Sequence, residues 1–302
     1  MRPLTKWISI VALCIIPPLT GCGSGSLQPV HIADLDDLRI NESSGVAASR
    51  LDPNIIWMHN DSGDDPVLYA TDARGENLGR FVVEGADARD WEDMCSFTLD
   101  GRAYLLVADV GNNRRDRDPV PLYLVPERPL KTAPQLRATK TIRIRFADGP
   151  HDCESVAFDP ITRSLVFISK HYGQVGTHCR VFTLPLDDIG TNRIHELEPI
   201  TRLPYSLATA MDISPDGSRV AVLTYSMIRI YDRRDGENWA NTFSRTPQKL
   251  ILPGVYQFEA ICFTHDGRSL ILTSEAEPCP MWRYDLTGLD RSPHTQKNNT
   301  NP

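Results

Sequence analysis

The sequence predicts an all-β protein, a five-bladed β-propeller built from four-stranded antiparallel blades. Two observations lead there. A short phrase recurs along the chain at Glu42–Pro53, Asp90–Gly101, Asp152–Pro160, Ala208–Gly217 and Gln257–Gly267. Each copy moves from a polar residue through small apolar residues into a turn. Its spacing of about 50–60 residues is that of a propeller blade. Asp-Gly or Asp-Pro closes each copy, at 52–53, 100–101, 159–160, 216–217 and 266–267, and then a second apolar run begins. Such turns between apolar runs are hairpin signals.

The elements follow in order. The recurring phrase is the inner strand. Second strands are expected at Ile55–His59, Ala103–Asp109, Leu165–Lys170, Arg219–Tyr225 and Ser269–Glu275. Third strands are expected at Val67–Asp72, Leu122–Val125, Arg180–Leu184, Ile228–Asp232 and Met281–Asp285. Fourth strands are expected at Leu78–Glu84, Thr139–Phe146, His195–Leu203 and Gln248–Leu252. The last unit lacks one. Val30–Leu35, before the first unit, is free to supply it and close the ring, which removes an exposed sheet edge. A sixth blade stays open as an alternative, although no sixth inner strand is visible. No segment has a helical period.

Composition narrows the partners. Of 302 residues, 24% are charged and the net charge is −7, so nucleic acid is not an expected partner. Arg2 and Lys6 precede an apolar run from Trp7 to Ile16, which is too short to span a bilayer. The run leads to Leu19–Cys22, which resembles a bacterial lipobox. That resemblance implies that residues 1–21 are a signal peptide and that Cys22 is lipidated. Residues 22–29 then form a flexible tether, 30–287 the propeller and 288–302 a disordered polar tail. It further implies anchoring at the membrane by acyl chains such as palmitate, in the bacterial cell envelope, facing the periplasm or the exterior. A monomer is expected. Among the remaining cysteines, Cys95 and Cys262 share one phase of the inner strand and read as buried thiols. A disulfide between Cys153 and Cys179 is open in an oxidising compartment, with Cys279 as a competitor.

Strand order gathers the leading residues of the inner strands at one mouth of the central channel. Those residues are Ser44, Glu92, Glu154, Thr209 and Glu259. Carboxylates that converge there repel one another unless a cation or protons neutralise them. An oxygen-only ring suits Ca2+, and no Cys or His cluster at the position suits zinc. The alternative is a water-filled plug of glutamates. Second-strand ends ring the same mouth and supply candidate ligand or catalytic groups. Asp61, Asp109 and Lys170 are the candidates for orienting water or offsetting charge. Arg89, Asn112, Arg114, His171, Tyr225 and Glu275 are candidates for contacting a small anionic ligand or a protein partner. Asp61–Asp65 reads either as a turn with its own side-chain bonds or as a second cation loop. Trp91 reads as a wedge between blades. No Ser/His/Asp triad, phosphate-binding glycine loop or HExxH motif is present.

The ring order Ser, Glu, Glu, Thr, Glu resembles that of the soluble calcium-activated nucleotidases (apyrases). Those are five-bladed propellers whose central Ca2+ is held by one Ser or Glu per blade. The resemblance implies Ca2+ at Ser44, Glu92, Glu154, Thr209 and Glu259, but the nucleotide-selecting loops do not match. The segments Glu42–Gly45, His59–Asp64, Arg89–Asp93 and Asp148–Glu154 are similar to motifs of uncharacterised bacterial propeller lipoproteins, over most of the chain. That likeness implies no activity. Two functions follow as expectations: a metal-dependent hydrolase of a phosphate or related ester, or a non-catalytic module binding protein or glycan around a structural cation.

Overall fold

A computed structural model describes residues 27–132, 135–171, 178–188, 193–254 and 257–289. The expected signal peptide, Cys22 and the tail beyond Leu289 lie outside the described residues. No helix among the described residues is long and apolar enough to cross a membrane.

The fold is a five-bladed propeller. Blade 1 is β2 (Ser43–Ala48), β3 (Ile55–Asn60), β4 (Val67–Asp72) and β5 (Asn77–Glu84). Blade 2 is β6 (Asp93–Leu99), β7 (Arg102–Ala108), β8 (Val120–Pro126) and β10 (Lys140–Phe146). Blade 3 is β11 (Asp152–Asp159), β12 (Ser164–Lys170), β13 (Arg180–Pro185) and β15 (Pro199–Arg202). Blade 4 is β16 (Ala208–Ile213), β17 (Arg219–Thr224), β18 (Met227–Asp232) and β19 (Gln248–Ile251). Blade 5 is β20 (Phe258–Phe263), β21 (Ser269–Ser274) and β22 (Pro280–Asp285), completed by β1 (Val30–Asp34). β1 pairs antiparallel with β22, Val30 opposite Arg283 and Asp34 opposite Pro280. The expected N-terminal closure is therefore present.

Inner strands pack in the order β2, β6, β11, β16, β20 and back to β2, so the ring closes without a sixth blade. Apolar residues collect between blades rather than at one centre. The cluster holding Trp57, Trp91 and Tyr123 joins blades 1 and 2, so Trp91 is an inter-blade wedge. Equivalent clusters join each following pair, and the last, with Met58, Tyr69 and Met281, joins blade 5 to blade 1. Both faces of each inner strand are therefore covered, which explains strands buried along their length.

The structure departs from the sequence expectation in four places. The run expected as one strand at His195–Leu203 divides. β14 (Ile194–Leu197) leaves its own blade and pairs in parallel with β10 of blade 2, and only β15 completes blade 3. Similarly β9 (Leu136–Arg137) pairs in parallel with β5 of blade 1. Both straps cover an outer edge that would otherwise be open. A short helix, α1 (Trp239–Phe243), lies between β18 and β19, where Asn238 caps it by accepting the Asn241 N–H. It buries Trp239 and Phe243 against blades 3 and 4, but five residues are too few to show a period. Leu27, in the expected tether, packs with Leu289 against the cluster between blades 4 and 5. The Leu289 carbonyl also accepts a bond from Arg219.

All five described cysteines are free and buried. Cys153 belongs to the cluster between blades 2 and 3, Cys179 to that between blades 3 and 4, and Cys279 to that between blades 5 and 1. The blade-3 sheet separates Cys153 from Cys179, so the disulfide that the sequence left open is not formed.

Candidate metal centre

The leading residues of the inner strands owe their position to β-bulges. The pairing of β2 with β3 skips Ser44, that of β11 with β12 skips Glu154, that of β16 with β17 skips Thr209, and that of β20 with β21 skips Glu259. In blade 2, Asp93 pairs with Ala108 while the Glu92 N–H also bonds the Ala108 carbonyl, so two residues again oppose one. A bulge turns the extra residue out of the pleat and re-aims its side chain. One local device, repeated in each blade, therefore marks the same five positions.

Their side chains do not form a simple five-member ring. The Ser44 hydroxyl donates to the Glu92 carbonyl at 2.6 Å, and the Thr209 hydroxyl donates to the Phe258 carbonyl at 3.2 Å. These two stitch neighbouring blades. Two of the three glutamates, Glu92 and Glu154, are joined instead by aspartates that the ring pattern missed. Donor oxygens of Glu92, Asp152 and Glu154 lie within 4.8 Å of one another, and so do those of Asp61, Asp90 and Glu92. Glu92 is common to both sets. Asp90 and Asp152 each stand two residues before the leading glutamate. That Asp-x-Glu spacing, present twice, is the signal that could have found them.

The far side of the mouth is organised by Lys170 and Tyr225. Lys170, buried, pairs through Nζ with Glu154 Oε2 and lies 5.1 Å above the Tyr225 ring. The Tyr225 hydroxyl donates to Glu259 Oε1 at 2.8 Å, and Gln257 Nε2 donates to the same oxygen at 2.6 Å. Gln257 also bonds Glu275. Asp152 Oδ1 accepts the Asn112 N–H at 2.8 Å. Asp152 is 3% exposed, and its Oδ2 is buried without a hydrogen-bond partner among the described residues.

Burial and mutual repulsion act together on these acids. Burial, reinforced by Glu154 and Asp61, pushes the Glu92 carboxyl well above its ordinary range. Glu154 is raised well above it too, by burial, with Lys170 opposing. Burial raises Asp90 and Asp152. Burial lifts Asp61 to about 6 and Glu275 to about 7, and the charge of Glu259 adds to both.

Close approach of the backbone shapes the site. A Cβ on Gly111 would sit 2.1 Å from Glu92 Oε1 and 2.5 Å from Asp90 Cγ, so only glycine leaves room for that pair. A Cβ on Gly45 would sit 2.1 Å from His59 Nε2. His59 is fully buried and donates through Nδ1 to the Asn60 carbonyl at 2.8 Å. Burial lowers it to about 4, so it is neutral at pH 7.

Other candidates do not join the acid clusters themselves. Asp109 is buried in an ion pair with Arg117 and accepts backbone N–H groups of Arg89 and Asp90, so it anchors the Arg89–Asp93 turn. Arg117 extends that anchor to Asp90 at 4.0 Å. The Asn112 side chain folds its own loop, accepting from Asp116 and Arg117 N–H and donating to the Arg117 carbonyl. Arg114 is exposed. Arg89 lines a groove with Arg117, Tyr123 and Arg143. His171 is buried edge-on to His151 at 5.5 Å, and burial, with His151 beside it, lowers it to about 4. In Asp61–Asp65, Asp64 accepts from Asn60 and Tyr69, and Asp65 pairs with Arg80. The turn reading therefore describes the segment, and only Asp61 joins the acids.

No family model matches the chain, and no curated protein matches it. Among solved structures it is similar to one titled "Structure of Dos1 propeller", with 11% identity, a TM-score of 0.39, and coverage of 81% of this chain and 68% of that one. The comparisons lend no support to a lipoprotein family or to the apyrase pattern.

Proposed function

We propose that this protein is a binding propeller whose channel mouth holds a divalent cation, Ca2+ by preference. The observation that carries the reading is the buried, unpartnered Asp152 Oδ2 beside Glu92 and Glu154. A buried polar atom without a partner is costly, and in a cluster of carboxylates a cation satisfies it directly. The donors are all oxygen, which suits a hard ion with a flexible shell. Glu92, Asp152 and Glu154 would hold the ion, with Asp61 and Asp90 as the outer set.

The cation would fix the Asn112 loop through Asp152 and the Tyr225–Lys170 side through Glu154 and Glu259. The mouth would then present an ordered face to an anionic ligand. The lipobox-like Leu19–Cys22 supports anchoring at a membrane surface, tested by loss of acyl-chain incorporation in Cys22→Ser. Hydrolysis of a phosphate ester at the same ion is the second reading. It is favoured by Asp61, which stands beside Asp90 and Glu92 where it could orient a water. Propellers host both activities, so the fold does not choose.

The deciding experiment is calorimetric titration of the metal-free protein with Ca2+, Mg2+ and Zn2+, with thermal unfolding followed alongside. Saturable Ca2+ binding with a rise in Tm is expected. No rise in Tm at millimolar Ca2+ would sink the reading. Ca2+-dependent turnover of nucleotides or phosphodiesters, lost in Asp61→Asn, would promote the hydrolase.

A further inference from the structure

Inner strands end at the channel as well as begin there, and all five blades contribute to the far mouth. Arg50 of blade 1, Phe97 of blade 2, Phe158 of blade 3, Ile213 and Pro215 of blade 4, and His265 of blade 5 line a cavity of about 380 Å3. None of the clustered acids lines it.

Its lining has two characters. Phe97 and Phe158 stack with ring centroids 4.2 Å apart and planes 19° from parallel. With Ile213 and Pro215 they give an apolar wall. Arg50 and His265 supply the charge and the hydrogen bonds. Arg50 is anchored on one side only. Its Nε donates to the Ser96 carbonyl at 3.1 Å and to the Ser96 hydroxyl at 3.0 Å. Its own N–H donates to Glu127 at 2.9 Å. The two outer guanidinium nitrogens have no hydrogen-bond partner among the described residues. Besides Glu127, a second nearby acid is Asp212, whose two oxygens accept the Ile213 and Phe263 N–H groups at 2.8 and 2.7 Å. It attenuates the charge of Arg50 without bonding it. His265 donates through Nδ1 to the Ser49 carbonyl at 2.9 Å, which leaves Nε2 as its other polar atom.

We propose that this second mouth binds a small carboxylate bearing an aromatic or branched apolar group. The anion would pair with the outer nitrogens of Arg50, and the apolar body would rest on Phe97 and Phe158. A guanidinium held at Nε presents its other edge as a fixed fork, the geometry that a carboxylate accepts bidentately. A pocket of this size, with an apolar half and a polar half, suits an amphipathic organic ligand rather than a bare ion.

The test titrates the full chain with phenylacetate, followed by ligand-observed NMR. Acetate carries the charge without the body, and benzyl alcohol the body without the charge. Saturable phenylacetate binding is expected, with both controls weaker by at least about tenfold. Arg50→Gln should remove the preference over benzyl alcohol. Because Arg50 also holds Ser96, Thr98→Trp is the second variant. Thr98 is an exposed lining residue, and the indole would fill the cavity and abolish binding. No binding at about 10 mM, equal binding of benzyl alcohol, or binding unchanged in Thr98→Trp would each overturn the proposal. Binding should persist in excess EDTA. Its loss there would assign the ligand to the acidic mouth and overturn this site while leaving the cation reading intact.

Discussion

At the scale of single residues, the mouth is a balance between repulsion and the groups that relieve it. In Glu92→Gln, one acid leaves both clusters. Ca2+ affinity is expected to fall by about tenfold or more, while the metal-free protein gains stability as repulsion drops. Calorimetry and thermal unfolding of the same variant check both signs. Lys170→Met leaves Glu154 without its ion-pair partner, and the metal-free protein should lose about 3 kcal/mol at neutral pH. Ca2+ should restore part of that loss, which chemical denaturation with and without the ion would measure. The pH dependence has two arms. Glu275 (about 7), Asp61 and Asp212 (both about 6), and the higher Glu92 and Glu154, bind protons more tightly folded than unfolded. Their stabilising contribution is full at low pH and is lost as pH rises through those values. His59 and His171, both lowered to about 4, act the other way, and cost stability as pH falls below about 6.5. The five acids outnumber the two histidines, so metal-free stability should already fall as pH rises from about 4.5 and go on falling through about 7, and Ca2+ should flatten the decline. A stability that rises steadily from pH 6 to 8 without metal would contradict this account.

At the scale of elements, the bulge at the start of each inner strand does the positioning, and nearby glycines make space for what it aims. Gly45→Ala would drive a methyl group into the buried His59 ring. A loss of about 1–3 kcal/mol is expected, read by denaturant unfolding, because the ring is packed on all sides. Gly111→Ala should act differently, displacing Glu92 and Asp90 and weakening Ca2+ binding by more than it lowers stability. These contacts account for sequence features that looked like family motifs. The glycine of Glu42–Gly45 and the histidine of His59–Asp64 meet across β2 and β3, and Arg89–Asp93 is held by Asp109. The straps β9 and β14 were not legible. Parallel pairing with a neighbouring blade is a long-range choice, and a run such as His195–Leu203 carries the same alternation whichever sheet it joins.

At the scale of the whole molecule, ring closure by β1 is the feature on which cooperativity depends. Ala33, opposite Met281 in the β1–β22 ladder, is a site where proline would interrupt the closing pairing. Ala33→Pro should lower Tm and expose the β22 edge, seen as a rise in oligomers by size-exclusion chromatography. The mouths at the two ends are separated by Asp93 and Asp212 inside the channel. Asp93 accepts the Val156 N–H at 2.8 Å and the Met211 N–H at 3.3 Å. Asp212 accepts the Phe263 N–H at 2.7 Å. They tie inner strands of different blades together, so each mouth can carry a ligand of its own.

The sequence by itself determined the repeat, the blade count, the N-terminal closure and the three glutamates at the mouth. Those rest on period, turn chemistry and strand polarity, which are local and repeat with the blade. Only the tertiary structure decided which acids become neighbours, that Ser44 and Thr209 bond carbonyls of the next blade, and that Asp109 belongs to Arg117. It also separated Cys153 from Cys179 by a sheet. Such choices depend on how side chains from different blades meet across the channel and the interfaces, and no spacing along the chain encodes that meeting.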